Sequence, residues 1–174
     1  PEMIRRFLDP VYTACGVLAC LSLLSIAVIV IAQIIGRLFD LLIPSADDFA
    51  GYALQASTFL GLAYTFRAGG HIRVSIFTNL IEPVKRRQVE LLVLAMGAVL
   101  MGYFTWYSYD MVITSYRFET VASGLIATPL WIPQSCILLG SLMMAVSMIE
   151  EFFRVLGGGE AIYEEQEKKA IARE

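Results

Sequence analysis

The chain has 174 residues, 57% of them hydrophobic, and its mean hydropathy is +0.68. Soluble domains contain about 45–50% apolar residues, so the composition excludes an ordinary water-soluble domain of this length. The formal net charge of −3 says little about the function of the protein, because the positive charges are concentrated in a few segments. The length fits one compact unit rather than two domains.

Four apolar stretches are each long enough to form a membrane-spanning helix, which needs about 20 apolar residues to cross the hydrocarbon layer. The second stretch is the shortest, and Gln55 interrupts it. We therefore predict an all-α integral membrane protein with a transmembrane domain over residues 1–156. Its four transmembrane helices are predicted over residues 11–35, 49–66, 89–109 and 130–149.

Basic residues predict how these helices are oriented. They cluster before the first stretch, between the second and third, and after the fourth. Because Lys and Arg resist translocation across the membrane, we expect these segments on the cytoplasmic side. Both termini are then cytoplasmic, which agrees with an even number of spans.

The first outer connection is acidic and leads into the second helix. Asp40, Asp47 and Asp48 accompany a single basic residue, Arg37. Ser45, followed three residues later by Asp48, resembles a capping box, in which a carboxylate also favours the helix N-terminus. We expect the second helix to begin there.

Small residues recur every four positions along the second helix, at Ala53, Ser57, Gly61 and Thr65. Such a stripe lets the backbones of membrane helices approach closely. It faces either another helix of this chain or a partner protein, and the pattern does not decide between the two.

Residues 72–82 carry apolar side chains at helical spacing and end before Pro83. This pattern predicts a short amphipathic helix in the cytoplasmic interface of the membrane. Lys85, Arg86 and Arg87 follow, and we expect them among anionic lipid headgroups. Residues 157–174 form a charged tail after the fourth helix.

Aromatic residues predict the outer boundary of the third and fourth helices. Trp106, Tyr107 and Tyr109 end the third stretch, and Trp131 opens the fourth. Indole and phenol rings prefer the membrane–water interface. The segment between these helices, residues 123–133, is apolar and contains Gly and Pro, so we expect it to pack against protein.

Catalytic and metal-binding patterns are absent from the sequence. His71 is the single histidine, so paired haem ligation is excluded and a zinc site based on histidines is disfavoured. The three cysteines have no disulfide or metal spacing, and we interpret them as buried packing residues. Gln33 and Gln55 are better explained as hydrogen-bonding contacts between helices than as substrate ligands.

Several short motifs together resemble one family of membrane proteins. Their order along the chain is Gly36-Arg37, Asp47-Asp48, Phe59-Leu60-Gly61, Gly70-His71-Ile72-Arg73-Val74, Lys85-Arg86-Arg87 and Thr128-Pro129-Leu130-Trp131-Ile132-Pro133. With them the chain resembles the small membrane subunit, or small permease, of tripartite ATP-independent periplasmic (TRAP) transporters. It departs from the common pattern at Ser75, where an acidic residue is usual, and at Asp47-Asp48, where Glu-Glu is frequent.

The resemblance implies a non-catalytic subunit of a secondary transporter in the bacterial inner membrane. A periplasmic binding protein would deliver an organic anion, a carboxylate or a sulfonate. A large elevator-type permease would move it with a sodium gradient, and the small subunit would enlarge the stationary scaffold in a one-to-one complex. Membrane lipids are further expected partners, whereas no cofactor, metal, bound substrate or nucleic acid is expected.

The resemblance also suggests roles for individual residues. The small-residue stripe would pack on helices, including those of the large subunit, whereas Arg37, Asp40, Asp47 and Asp48 would either dock the periplasmic protein or only cap and solvate. His71 and Arg73 would hold the cytoplasmic turn to lipid or to the large subunit. The alternatives are an independent small transporter or channel, a membrane enzyme or cytochrome-type electron carrier, and a non-transport assembly factor.

Overall fold

The computed structural model describes residues 2–67 and 83–158, with side chains for residues 9–67 and 87–158. These ranges form four helices: α1 (Glu2–Leu38), α2 (Ala46–Arg67), α3 (Pro83–Arg117) and α4 (Trp131–Leu156). Their only β-type pairing is an isolated bridge between Val121 and Pro129. The predicted all-helical architecture is confirmed for this part of the chain, whereas the predicted interfacial helix and nearly all of the tail lie outside it.

Three of the four helices are long and apolar enough to cross a membrane. The spanning segments are Asp9–Leu38 in α1, Arg87–Arg117 in α3 and Trp131–Leu156 in α4. All three helices continue beyond the predicted spans. The hydropathy pattern marks the residues within hydrocarbon, whereas the backbone hydrogen bonds of a helix continue into the headgroup layer.

The second predicted span is a 22-residue helix, α2, but it is not among the helices apolar enough to cross a membrane by composition. Two acidic residues in its first turn and Arg67 in its last turn lower its hydropathy. Because α2 packs against both α1 and α4, it exposes less surface to lipid than a peripheral helix does. Its membrane crossing stays a prediction.

The helices pack in the spatial order α1, α2, α4, α3, so that α2 and α4 form the central pair. The core lies between α1, α2 and α4, and consists of Tyr12, Cys15, Ala19, Leu60, Ala63, Met143 and Met144. Helix α3 contributes no buried residue to this core, with only its partly buried Met101 packed against it. It packs along α4 instead.

Glycines permit the closest helix contacts. A Cβ atom added at Gly140 of α4 would overlap the carbonyl oxygen of Phe59 and lie 2.7 Å from the Phe59 Cβ. One added at Gly16 of α1 would lie 2.8 Å from the Tyr64 ring. Real Cβ atoms do not approach so closely, so these residues set the distances from α2 to its two neighbours.

The connections at the end of the bundle that is predicted to face outwards, here named the outer end, fold onto each other. Ser45 directly precedes α2, as predicted, and has a left-handed backbone with φ of 55°. Its hydroxyl accepts a hydrogen bond from the Ile126 backbone N–H at 2.9 Å. Ser45 thus links the first connection to the loop between α3 and α4. The loop was predicted to pack against protein; it makes this one hydrogen bond to Ser45, whereas its side chains Leu125 and Ile126 are 76% and 43% exposed.

Candidate functional site

Arg67, the last residue of α2, joins three helices at the opposite end of the bundle, here named the inner end. Its Nη1 atom lies 2.6 Å from Oε2 of Glu150 in α4, and its Nη2 atom lies 2.9 Å from Oδ1 of Asp9 in α1. The Arg67 side chain is only 10% exposed, whereas those of Glu150 and Asp9 are 27% and 55% exposed. The planar guanidinium suits this arrangement because it can donate in two directions at once.

Tyr12 continues this contact into the core. The Arg67 guanidinium carbon lies 5.1 Å from the centroid of the Tyr12 ring, within the range of a cation–π contact. The Tyr12 hydroxyl donates to the Met143 carbonyl at 3.2 Å and accepts from the Ser147 hydroxyl at 2.6 Å. Tyr12 is only 1% exposed, so these bonds satisfy a hydroxyl that has no access to water. We call Asp9, Tyr12, Arg67, Ser147 and Glu150 the inner cluster.

The inner cluster was not predicted from the sequence, although a signal for it is present there. With four spans, the start of the first helix and the ends of the second and fourth lie on the same side of the membrane. A basic residue at one of these ends can therefore form ion pairs with acidic residues at the other two. The spacing of residues in the sequence does not determine how each helix is rotated about its axis. The residues that pair with Arg67 could therefore not be predicted.

Arg87 lies near the start of α3 and contacts the end of α4. Its Nη2 atom donates to the Leu156 carbonyl at 2.9 Å. A cation at a helix C-terminus satisfies a free carbonyl and favours the negative end of the helix dipole. Arg87 therefore has a protein partner, in addition to the lipid headgroups predicted for it. For Lys85 and Arg86 only the backbone is described.

The outer end contains a groove with a volume of about 330 Å³. Its wall is formed by α1, the first connection, the start of α2 and the α3–α4 loop. The lining residues are Gln33, Arg37, Leu41, Leu42, Ile43, Ser45, Ala46, Asp47, Asp48, Gly124 and Leu125. Three of the four predicted docking residues line it, whereas Asp40 lies on the same connection and is exposed.

The charged residues of the groove differ in their partners. The Oδ1 atom of Asp47 accepts a hydrogen bond from Nε2 of Gln33 at 2.8 Å, so Gln33 links α1 to α2, as predicted for this amide. The Asp48 carboxylate lies against Gly124, where a Cβ atom would overlap it. Within residues 9–67 and 87–158, neither Arg37 nor Asp48 forms an ion pair or a side-chain hydrogen bond.

The small-residue stripe of α2 contacts the chain's own α1 at one of its positions. A Cβ atom added at Gly61 would lie 3.5 Å from the Ala19 Cβ, an ordinary contact distance. Ala53 and Ser57 are half-buried, whereas Thr65 is exposed. At Gly61 the stripe therefore contacts α1, and a role in contacting a partner stays a prediction.

The remaining predicted residues lie in different surroundings. Trp131 begins α4 and packs edge-on against Tyr116, with 5.8 Å between the ring centroids. Pro129 pairs with Val121, and Pro133 is buried.

The three cysteines differ in their exposure. Cys15 is buried as predicted, Cys136 is half-buried, and Cys20 is exposed on α1, so the packing interpretation was wrong for Cys20.

The predicted cytoplasmic motif lies outside the described residues, with Gly70, His71, Ile72, Arg73 and Val74. In the part of the chain that is described, no group of three or more His, Cys, Asp or Glu side chains is placed to hold a metal ion. The charged residues of the four helices lie towards the helix ends there. The described helices thus carry polar contacts at both ends of an apolar middle section.

The sequence of the chain is similar to one known family. Residues 26–158 match the family described as tripartite ATP-independent periplasmic transporters, DctQ component. No curated protein matches the chain. The matched region includes the outer groove, all of α2, α3 and α4, and the last 13 residues of the 30-residue membrane span of α1. Since the match covers well over half of the chain, this multi-pass membrane protein belongs to the DctQ component family of the TRAP transporters.

Proposed function

We propose that the protein is the non-catalytic small subunit that scaffolds the large, elevator-type permease of a TRAP transporter. The observation that carries this proposal is the position of the polar contacts. The inner cluster joins α1, α2 and α4 at one end, and the Gln33–Asp47 hydrogen bond joins α1 to α2 at the other. Between these ends the described helices lack charged side chains, whereas transport pathways usually contain them.

The proposed orientation places the inner cluster and Arg87 at the cytoplasmic face and the groove at the periplasmic face of a bacterial inner membrane. The concentration of Lys and Arg between α2 and α3 supports it. In this orientation both termini are cytoplasmic, and α2 crosses the membrane as the fourth span. Its position between α1 and α4 supports this crossing despite its lower hydropathy.

The periplasmic binding protein is proposed to dock at the outer end. Asp40 and the acidic start of α2 give this end a negative charge, and complementary basic residues on the binding protein would favour its approach. The Gly70–Val74 motif, with His71 and Arg73, is proposed to hold the cytoplasmic turn to lipid or to the large subunit.

Transport by the reconstituted system tests this function. We expect sodium-driven uptake of an organic carboxylate or sulfonate into proteoliposomes only when the chain, the permease encoded beside it and the binding protein are all present. The chain alone should give no uptake, because its described helices offer no polar path through the apolar section. Uptake by the chain alone would favour an independent transporter, and undiminished uptake without it would contradict a scaffold role.

A further inference from the structure

The groove at the outer end lies at the depth of lipid headgroups. The spanning segment of α1, Asp9–Leu38, has 30 residues, which corresponds to a length of about 45 Å. A bilayer with its headgroup layers is about 40–45 Å thick. Arg37 lies one residue before the end of this segment, so the groove opens among the headgroups whichever way the protein is oriented.

Opposite charges line this groove without meeting. Arg37 and Asp48 both contribute to its wall, yet no nitrogen of Arg37 lies within 4.0 Å of a carboxylate oxygen among the described side chains. Asp47 already accepts a hydrogen bond from Gln33. The groove therefore offers one guanidinium and one carboxylate, each available to a ligand that carries both charges.

Apolar side chains form another part of the groove wall. Leu41 and Leu42 line the groove and are 66% and 81% exposed. Exposed leucines at this depth suit contact with the glycerol and upper acyl region of a lipid molecule. The groove thus combines a polar site with two charges of opposite sign and an apolar flank, which is the pattern of a zwitterionic phospholipid.

We propose that the groove binds the headgroup of an aminophospholipid, a lipid with a phosphate and a primary ammonium group. The Arg37 guanidinium donates hydrogen bonds to the phosphate, and the ammonium donates to the Asp48 carboxylate. Both are charge-assisted hydrogen bonds, which are stronger than neutral ones. The site depends on the membrane position of α1 and not on the proposed transport function.

This chemistry distinguishes between common phospholipids. Phosphatidylethanolamine presents both groups, whereas the quaternary ammonium of phosphatidylcholine has no N–H to donate to Asp48. Phosphatidylglycerol has no ammonium, so its hydroxyl groups offer Asp48 a hydrogen bond but no opposite charge. The groove should therefore prefer phosphatidylethanolamine over both other lipids.

Native mass spectrometry of the full chain, delipidated in mild detergent and titrated with each lipid, tests the proposal. We expect phosphatidylethanolamine to bind about tenfold more tightly than the other two lipids, the effect of one charge-assisted hydrogen bond. Arg37→Gln and Asp48→Asn should each weaken its binding by about tenfold. Asp40→Asn is the matched control, because Asp40 is an exposed carboxylate on the same connection that does not line the groove.

Thermal unfolding of each variant in detergent shows whether it folds like the wild-type chain. If Asp48→Asn unfolds early, the preference of the wild-type chain among the three lipids still decides the question. Equal binding of all three lipids would overturn the proposal, as would an equal loss in Asp40→Asn. Loss of periplasmic-protein binding in Arg37→Gln and Asp48→Asn, with lipid binding unchanged, would overturn it in favour of a protein-binding groove.

Discussion

Replacing Gly140 with alanine is expected to lower the free energy of unfolding by about 1–3 kcal/mol, the usual cost of overpacking a close contact. The added Cβ atom would overlap the Phe59 carbonyl oxygen and lie 2.7 Å from the Phe59 Cβ. Because the first of these atoms belongs to the backbone, no change of side-chain rotamer relieves the overlap. The α2–α4 pair must move apart, and chemical denaturation of the chain in mixed micelles measures the loss.

Gly102→Ala is the matched control for this prediction. Gly102 is also a helical glycine, but no atom lies within 4 Å of the position of its added Cβ. Alanine is favoured over glycine within a helix by up to about 1 kcal/mol, so Gly102→Ala should be neutral or stabilising. Equal stability of the two variants would show that the α2–α4 contact is not as close as the structure has it.

Replacing Arg67 with glutamine should lower the free energy of unfolding by about 2–3 kcal/mol, the scale of hydrogen bonds to charged groups. The variant loses both ion pairs and the contact with the Tyr12 ring. Glu150 is then a partly buried carboxylate without its cation, which is the costly part of the change. Asp9 is more than half exposed, so water compensates for much of its loss.

A double variant separates the cost of an unpaired charge from other effects of the substitution. Arg67→Gln combined with Glu150→Gln removes the unpaired carboxylate, so it should be less destabilised than the sum of the two single variants. Arg117→Gln, at the exposed end of α3, should change stability by less than about 0.5 kcal/mol. A strictly additive double variant would contradict the direct contact between Arg67 and Glu150.

Hydropathy and charge predicted the helices well because both reflect the surroundings of whole segments. Runs of apolar residues correspond to α1, α3 and α4, and Trp131 begins α4 close to the predicted start. The start of α2 was predicted from Ser45 and Asp48, although the hydroxyl of Ser45 bonds to Ile126 across the outer end. A capping motif gives the position of a helix start, whereas the partner of its side chain depends on the tertiary fold.

The contacts between helices were harder to predict from the sequence. Gly61 was predicted to lie against a helix, but only the structure identifies Ala19 of α1 as its neighbour, at an ordinary contact distance. Gly140 makes the closest of the glycine contacts between helices. It does not belong to the small-residue stripe of α2 and was not predicted to lie at a close contact. The distance along the chain from Arg67 to Glu150 also exceeds any helical spacing, so only the positions of α2 and α4 bring them together.

The most direct test of the scaffold function is the native mass of the complex that this chain forms. The chain is tagged and co-expressed with the untagged multi-span permease encoded beside it, and the detergent-extracted species is weighed by native mass spectrometry. A stable one-to-one complex of the two proteins is the expected result. Recovery of the chain alone, or of a homo-oligomer that excludes the permease, would contradict the assignment as a scaffold subunit.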